Sequence, residues 1–153
     1  MLPALCAGLM LAACSRADSS PPATSAPPEQ KWVIGERESG PHGNIGNTIT
    51  FATDSAELTL EAQALLQKQT VWLRDYPQHT VTFEGHADER GTREYNLALG
   101  ERRAQAEMDY FIALGVDPKR LKTISYGKER PLCTEANEAC WSQNRRGVST
   151  LDP

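Results

Sequence analysis

Residues 80–104 read Thr80-Val81-Thr82-Phe83-Glu84-Gly85-His86-Ala87-Asp88-Glu89-Arg90-Gly91-Thr92-Arg93-Glu94-Tyr95-Asn96-Leu97-Ala98-Leu99-Gly100-Glu101-Arg102-Arg103-Ala104. Over 80–85 polar and apolar side chains alternate, the period-two pattern of a half-buried strand. From Thr92 the period becomes helical and continues to Leu114. The expected apolar stripe is Leu99, Ala106, Tyr110, Phe111 and Leu114, with Gly115 as the stop. Between strand and helix lies a turn with Asp88 at its mouth, and loops that follow strands concentrate binding residues. Asn96, Leu99 and Arg103 are spaced three and four apart, so they share one helix face.

Working outward, Thr48-Ile49-Thr50-Phe51-Ala52 alternates and reads as a strand. Residues 59–76 read as a helix: Thr59 can cap it, Glu61 sits in its first turn and Pro77 ends it. Leu58, Ala62, Leu65, Leu66, Trp72, Leu73 and Tyr76 fall near one face. A third strand is expected over 121–126, then a loop over 127–144 with one helical turn near 136–141, then a short final strand over 147–151. Gly147 inside that strand and Pro153 beyond it predict a short, frayed edge. The order strand–helix–strand–helix–strand implies an α/β sandwich, a small mixed β-sheet with helices packed on one face.

The chain has 153 residues, room for one domain and a tail. Its net charge of −4 argues against nucleic acid as a partner. No apolar run reaches the length of a membrane-spanning helix. Residues 1–14, MLPALCAGLMLAAC, are uncharged and almost wholly apolar, and read as a secretory signal. The stretch Leu11-Ala12-Ala13-Cys14 resembles the bacterial lipobox, which implies cleavage before Cys14 and lipidation of its thiol. The signal departs from the usual pattern in having no Lys or Arg at its start. In the lipoproteins that this lipobox resembles, an Asp at the position of Ser15 favours retention in the inner membrane, so with an enterobacterial-type sorting system the resemblance implies the outer membrane. Ser, Ala and Pro fill eleven of the sixteen positions of 15–30, the composition of an extended tether. The expected division is a signal peptide over 1–13, a lipidated cysteine and tether over 14–30, and a folded domain over 31–153.

Of four cysteines, Cys6 and Cys14 belong to the signal, leaving Cys133 and Cys140 in the domain. In an oxidising compartment such a pair is most simply a disulfide closing a small loop. Free thiols are an alternative, and so is a zinc site, which would need two further ligands. Glu84, His86 and Asp88 lie two apart and could converge as metal ligands on one face of a strand. The other histidines, His42 and His79, are far off in this layout, and no Gly-x-Ser-x-Gly nucleophile motif occurs. The reading is therefore a protein without catalysis, metal or cofactor.

The ordered set of motifs carries a more specific resemblance. It comprises Phe51 with Asp54 and Ser55, Gly85-His86-Ala87-Asp88 followed by Gly91, Tyr95-Asn96, Leu99 and Arg102-Arg103-Ala104. Ser125-Tyr126-Gly127, Arg130-Pro131 and Asn144-Arg145-Arg146 complete it. Residues 45–149 resemble the OmpA-like peptidoglycan-binding domain family, and within it the branch of peptidoglycan-associated lipoproteins (Pal). The resemblance implies a non-catalytic outer-membrane lipoprotein facing the periplasm. It would tether the outer membrane to the wall by binding the diaminopimelate stem peptide of peptidoglycan, with a Tol-system β-propeller protein as second partner. The alternative is a periplasmic protein-interaction module of the same fold that does not bind peptidoglycan.

Carried over residue by residue, the resemblance assigns Asp88 to the ligand's ammonium and Arg103 to a carboxylate, which a planar guanidinium can grip bidentately. Asn96 and Leu99 would line the pocket, Thr53 and Asp54 would add polar or backbone contacts, and Arg145 is a second cation. Without ligand, Asp88 and Arg103 could pair with each other. Glu89 and Arg90 read as exposed turn charges and the Cys133–Cys140 loop as peripheral. Replacing Asp88 or Arg103 by Ala is expected to leave the fold intact.

Overall fold

The computed structural model describes residues 45–152. The signal, Cys14, the tether and residues 31–44 lie outside the described residues. The described chain runs β1 (Thr48–Thr50), α1 (Leu60–Asp75), β2 (Thr80–His86), α2 (Arg93–Ala113), a single 3-10 turn at Pro118–Arg120, β3 (Leu121–Gly127), α3 (Glu138–Asn144) and β4 (Arg146–Asp152). Thr59 and Thr92 each turn a side-chain oxygen back onto a first-turn N–H of the helix that follows, Ala62 and Tyr95, at 3.2 and 3.1 Å. Such a cap is worth about 1 kcal/mol to a helix.

The four strands form one sheet in the order β1-β4-β2-β3. β2 and β3 are parallel, joined by α2 as a crossover, while β4 pairs antiparallel with both β1 and β2. The sheet is therefore mixed, as the sequence implied. The expectation for the last strand was wrong: β4 is seven residues long and is an inner strand, hydrogen-bonded on both sides. Gly147 is tolerated there because its bare backbone faces the Glu107 carboxyl of α2. A Cβ at 147 would come within 1.7 Å of Glu107 Oε1.

Alternation sends Ile49, Val81, Phe83 and Leu121 to the face covered by α1 and α2, where they meet Leu66, Leu73, Ala104 and Phe111. The Phe83 and Phe111 rings meet edge to face at 4.9 Å. Each such side chain contributes about 1.5–3 kcal/mol on burial. The buried stripe of α2 differs from the apolar one expected. It is Asn96, Leu99, Gly100, Arg103, Ala104, Glu107 and Phe111, whereas Ala106, Tyr110 and Leu114 are only half-buried. Two charged residues occupy sheet-facing positions, so hydropathy alone rotated the helix slightly. What fixes the rotation is a close approach: a Cβ on Gly85 would lie 1.7 Å from the Gly100 carbonyl oxygen. The two glycines let α2 lie directly on β2 just where the turn carrying Asp88 begins.

Among the described residues no helix is long and apolar enough to cross a membrane, and no group of three His, Cys, Asp or Glu side chains is set to hold a metal ion.

Candidate functional site

After His86 the chain leaves the sheet, and Ala87 N–H still donates to the Gly127 carbonyl at 2.8 Å. That bond carries β2's direction into the turn and fixes where Asp88 emerges. The Asp88 carboxylate is nearly buried and lies between two guanidiniums. Arg90 grips it from one side, with Nε 3.1 Å from Oδ1 and Nη2 2.7 Å from Oδ2. Arg90's backbone N–H also donates to Oδ1 at 3.1 Å, an Asx-turn. Arg145 Nη1 approaches Oδ2 from the other side at 3.4 Å. Burial pushes the Asp88 carboxyl up, but the bonds from Arg90 and then Arg145 outweigh it, so the group is held below the usual carboxylate range. It is a stably ionised anion at the bottom of a turn.

Beside it opens a cavity of about 300 Å³, lined by Thr53, Asp54, Asp88, Arg90, Gly91, Tyr95, Asn96 and Leu99. Asn96 Nδ2 donates to the Arg90 carbonyl at 2.8 Å, which ties α2 to the turn. Asp54 closes the far wall with φ at +54°, a left-handed conformation that Asp tolerates better than most residues. Its carboxylate accepts a hydrogen bond from the Tyr95 hydroxyl. A strained backbone beside a cavity is a common mark of a binding site.

Of the residues singled out from sequence, Asp88, Asn96, Leu99, Thr53 and Asp54 meet in this one cavity. Arg145 stands behind Asp88, also donating through Nε to the Phe51 carbonyl at 3.1 Å. Arg103 is fully buried beneath them. It donates to three carbonyls, Ser55 at 2.8 Å, His86 at 2.7 Å and Ala52 at 3.0 Å. Burial pulls its guanidinium down to about 10, partly offset by the Asp88 charge, so it stays protonated at neutral pH. Three of its five N–H groups are thus committed to the protein. The expectation that Arg103 could be removed without structural cost conflicts with these bonds, because they clamp the loop after β1 to the end of β2.

Arg90 is the residue that sequence reasoning undervalued. It is no free turn charge, since it lines the cavity and pairs with Asp88. The Asx-turn pattern of Asp88 two before Arg90 was the available signal. Its guanidinium also stacks on Trp141, with Cζ 4.3 Å from the ring centroid. Trp141 Nε1 donates to Glu89 Oε1 at 2.9 Å. Glu138 accepts from Arg145 Nη2. The Trp141 contacts bridge about fifty residues of sequence and have no local signature. His86, by contrast, turns its ring away from the cavity, with Nε2 3.6 Å from Glu84. Burial, then the charges of Arg146 and Arg130, bring its pKa down to about 4, so it is neutral at physiological pH.

Cys133 and Cys140 are joined by a disulfide, with S–S at 2.06 Å. Because Cys140 lies within α3, the loop it closes abuts the site, and the expectation of a peripheral loop does not hold.

Comparison with known proteins agrees with this architecture. Residues 50–145 match the OmpA family. The chain is 57% identical over 108 residues to the peptidoglycan-associated lipoprotein of Mesorhizobium japonicum, covering 71% of this chain and 64% of that one. It is 50% identical over 99 residues to the protein of the same name from Pseudomonas aeruginosa, covering 65% and 58%. The chain therefore spans about three-fifths of the length of such curated relatives. Among solved structures, the peptidoglycan-associated lipoprotein of Burkholderia pseudomallei superposes with a TM-score of 0.69 at 38% identity, covering 71% of this chain and 92% of that one. With a match across most of the described residues and relatives at these identities, the chain belongs to the OmpA family.

Proposed function

We propose that this protein is a non-catalytic outer-membrane lipoprotein whose folded domain binds the diaminopimelate stem peptide of peptidoglycan. It would be anchored through Cys14, face the periplasm and work within a Tol–Pal type envelope system. The observation that carries the reading is the nearly buried, ionised Asp88 at the edge of a 300 Å³ cavity rimmed by Arg90. Diaminopimelate ends in an ammonium and a carboxylate on one carbon. A reader of that end needs an anion and a cation at short, fixed separation. Asp88 supplies the anion. Arg90 and Arg145 supply cationic donors around it. The names of the relatives support peptidoglycan as the ligand.

The chemistry asked of the site is recognition alone. The ligand ammonium replaces part of the Arg90 contact at Asp88, and the displaced guanidinium turns to the ligand carboxylate. Leu99 and the Tyr95 ring exclude water from the contact, which strengthens it. A lipid at Cys14 and the tether over 15–30 would keep the domain close to the wall and raise its effective concentration there.

The test is co-sedimentation of the protein with purified diaminopimelate-type sacculi, for wild type and Asp88→Asn, with the fold of each checked by circular dichroism. Wild type should pellet. Asp88→Asn, which keeps the shape and removes the charge, should lose at least tenfold in apparent affinity. If wild type stays in the supernatant, the domain is better read as a module for protein partners.

A further inference from the structure

We propose that the Cys133–Cys140 loop and α3 are a positioning element of the binding site. Trp141 and Glu138 hold the two guanidiniums that bracket Asp88, and so decide how strongly the site reads a ligand carboxylate. The proposal rests on the stem-peptide reading given above.

Three observations lead to it. First, α3 is only seven residues long, too short to be helical unaided. Its orientation must come from its ties. The disulfide spans a sequence separation of 7 and ends at Cys140, which is 1% exposed. Asn144 ties the other end, accepting from Leu132 N–H at 2.8 Å and donating to the Cys133 carbonyl at 2.7 Å. Asn137 caps the helix start through Cys140 N–H at 3.0 Å.

Second, Glu138 and Trp141 are three apart on α3 and so lie on one side of it. That side meets the site. Glu138 takes Arg145 Nη2, leaving Nη1 for Asp88. Trp141 lies under the flat face of Arg90, whose edge is held by Asp88. The Trp141 ring is itself pinned by Glu89.

Third, the cations differ in what they can reach. The Arg103 side chain is fully buried and that of Arg145 is 7% exposed, whereas that of Arg90 is 39% exposed and lines the cavity. Arg90 is thus the cation placed to touch a ligand carboxylate, and Trp141 the surface that keeps its fork flat and aimed. Trp141 and Glu138 touch no ligand in this scheme and act through Arg90 and Arg145. The disulfide keeps their shared helix seated.

The experiment is isothermal titration with two soluble stem peptides, one with a free diaminopimelate carboxylate at the side-chain end and one with that carboxylate amidated. Wild type should prefer the free form. Trp141→Ala and the double variant Cys133→Ala/Cys140→Ala should each cut that preference roughly fivefold, about the worth of one guanidinium–aromatic contact. Trp141→Phe keeps a ring beneath Arg90 and should retain most of the preference. If wild type binds neither peptide, the stem-peptide reading itself fails. If wild type binds both equally, or if Trp141→Ala keeps the full preference, the positioning role is overturned. Equal losses for both peptides in Trp141→Ala would also overturn it, because they would mean a general structural defect. The tryptophan variants decide the matter should the cysteine variant fold poorly.

Discussion

Replacing Glu107 by Gln should remove a pH dependence from the stability of this domain. Glu107 lies on the sheet-facing side of α2 and is fully buried. Its Oε2 accepts only a long bond from the Ser149 hydroxyl, 3.4 Å, and its Oε1 has no hydrogen-bond partner. Burial therefore pushes the carboxyl well above its ordinary 4.5, so the folded protein holds a proton that the unfolded chain releases. With a raised folded value, the stabilisation is complete below 4.5 and is lost as pH rises towards the folded value. Across that window each pH unit changes the folding equilibrium about tenfold in favour of the unfolded chain. Gln has nearly the same shape and no ionisation, so the variant escapes this loss. Urea denaturation of both proteins between pH 4.5 and 8 gives the difference in stability at each pH, in which groups common to both proteins cancel. The variant should gain on wild type steadily as pH rises. Two curves that stay parallel over the whole range would refute the assignment of Glu107 as a neutral, buried acid.

Two more substitutions probe the same packing. Gly147→Ala drives a Cβ into the Glu107 carboxyl and should cost about 1–3 kcal/mol of stability by thermal or urea denaturation. Much of that cost should vanish in a Glu107→Ala background, and an undiminished cost there would locate the strain elsewhere. Arg103→Ala strips the Ser55, His86 and Ala52 carbonyls of their donor and should lower stability by about 3 kcal/mol or more. An unchanged urea midpoint for that variant would mean that water or another side chain satisfies those carbonyls.

Much of this protein was legible in the linear order of its residues. Alternation at 80–85, the cap Thr59 and the punctuation by Pro77 and Gly115 are local signals, and they set the elements to within a residue or two at most ends. The strand-turn-helix around Asp88 already placed Asp88, Asn96 and Leu99 together, because a short turn and a helical repeat fix relative positions without help from the rest of the chain. The parts that misled were those whose meaning depends on residues distant in sequence. Gly147 reads as a weak edge strand until α2 is laid across it and Glu107 fills the space a side chain would have taken. Arg103 reads as a cation free to grip a ligand carboxylate until three carbonyls from two separate segments converge on it. Arg90, Trp141 and Glu138 have nothing in their own neighbourhoods to mark them as one group. Burial, carbonyl geometry and charge pairing act through space, so only the folded chain decided which cation faces the cavity and which is spent holding the protein together.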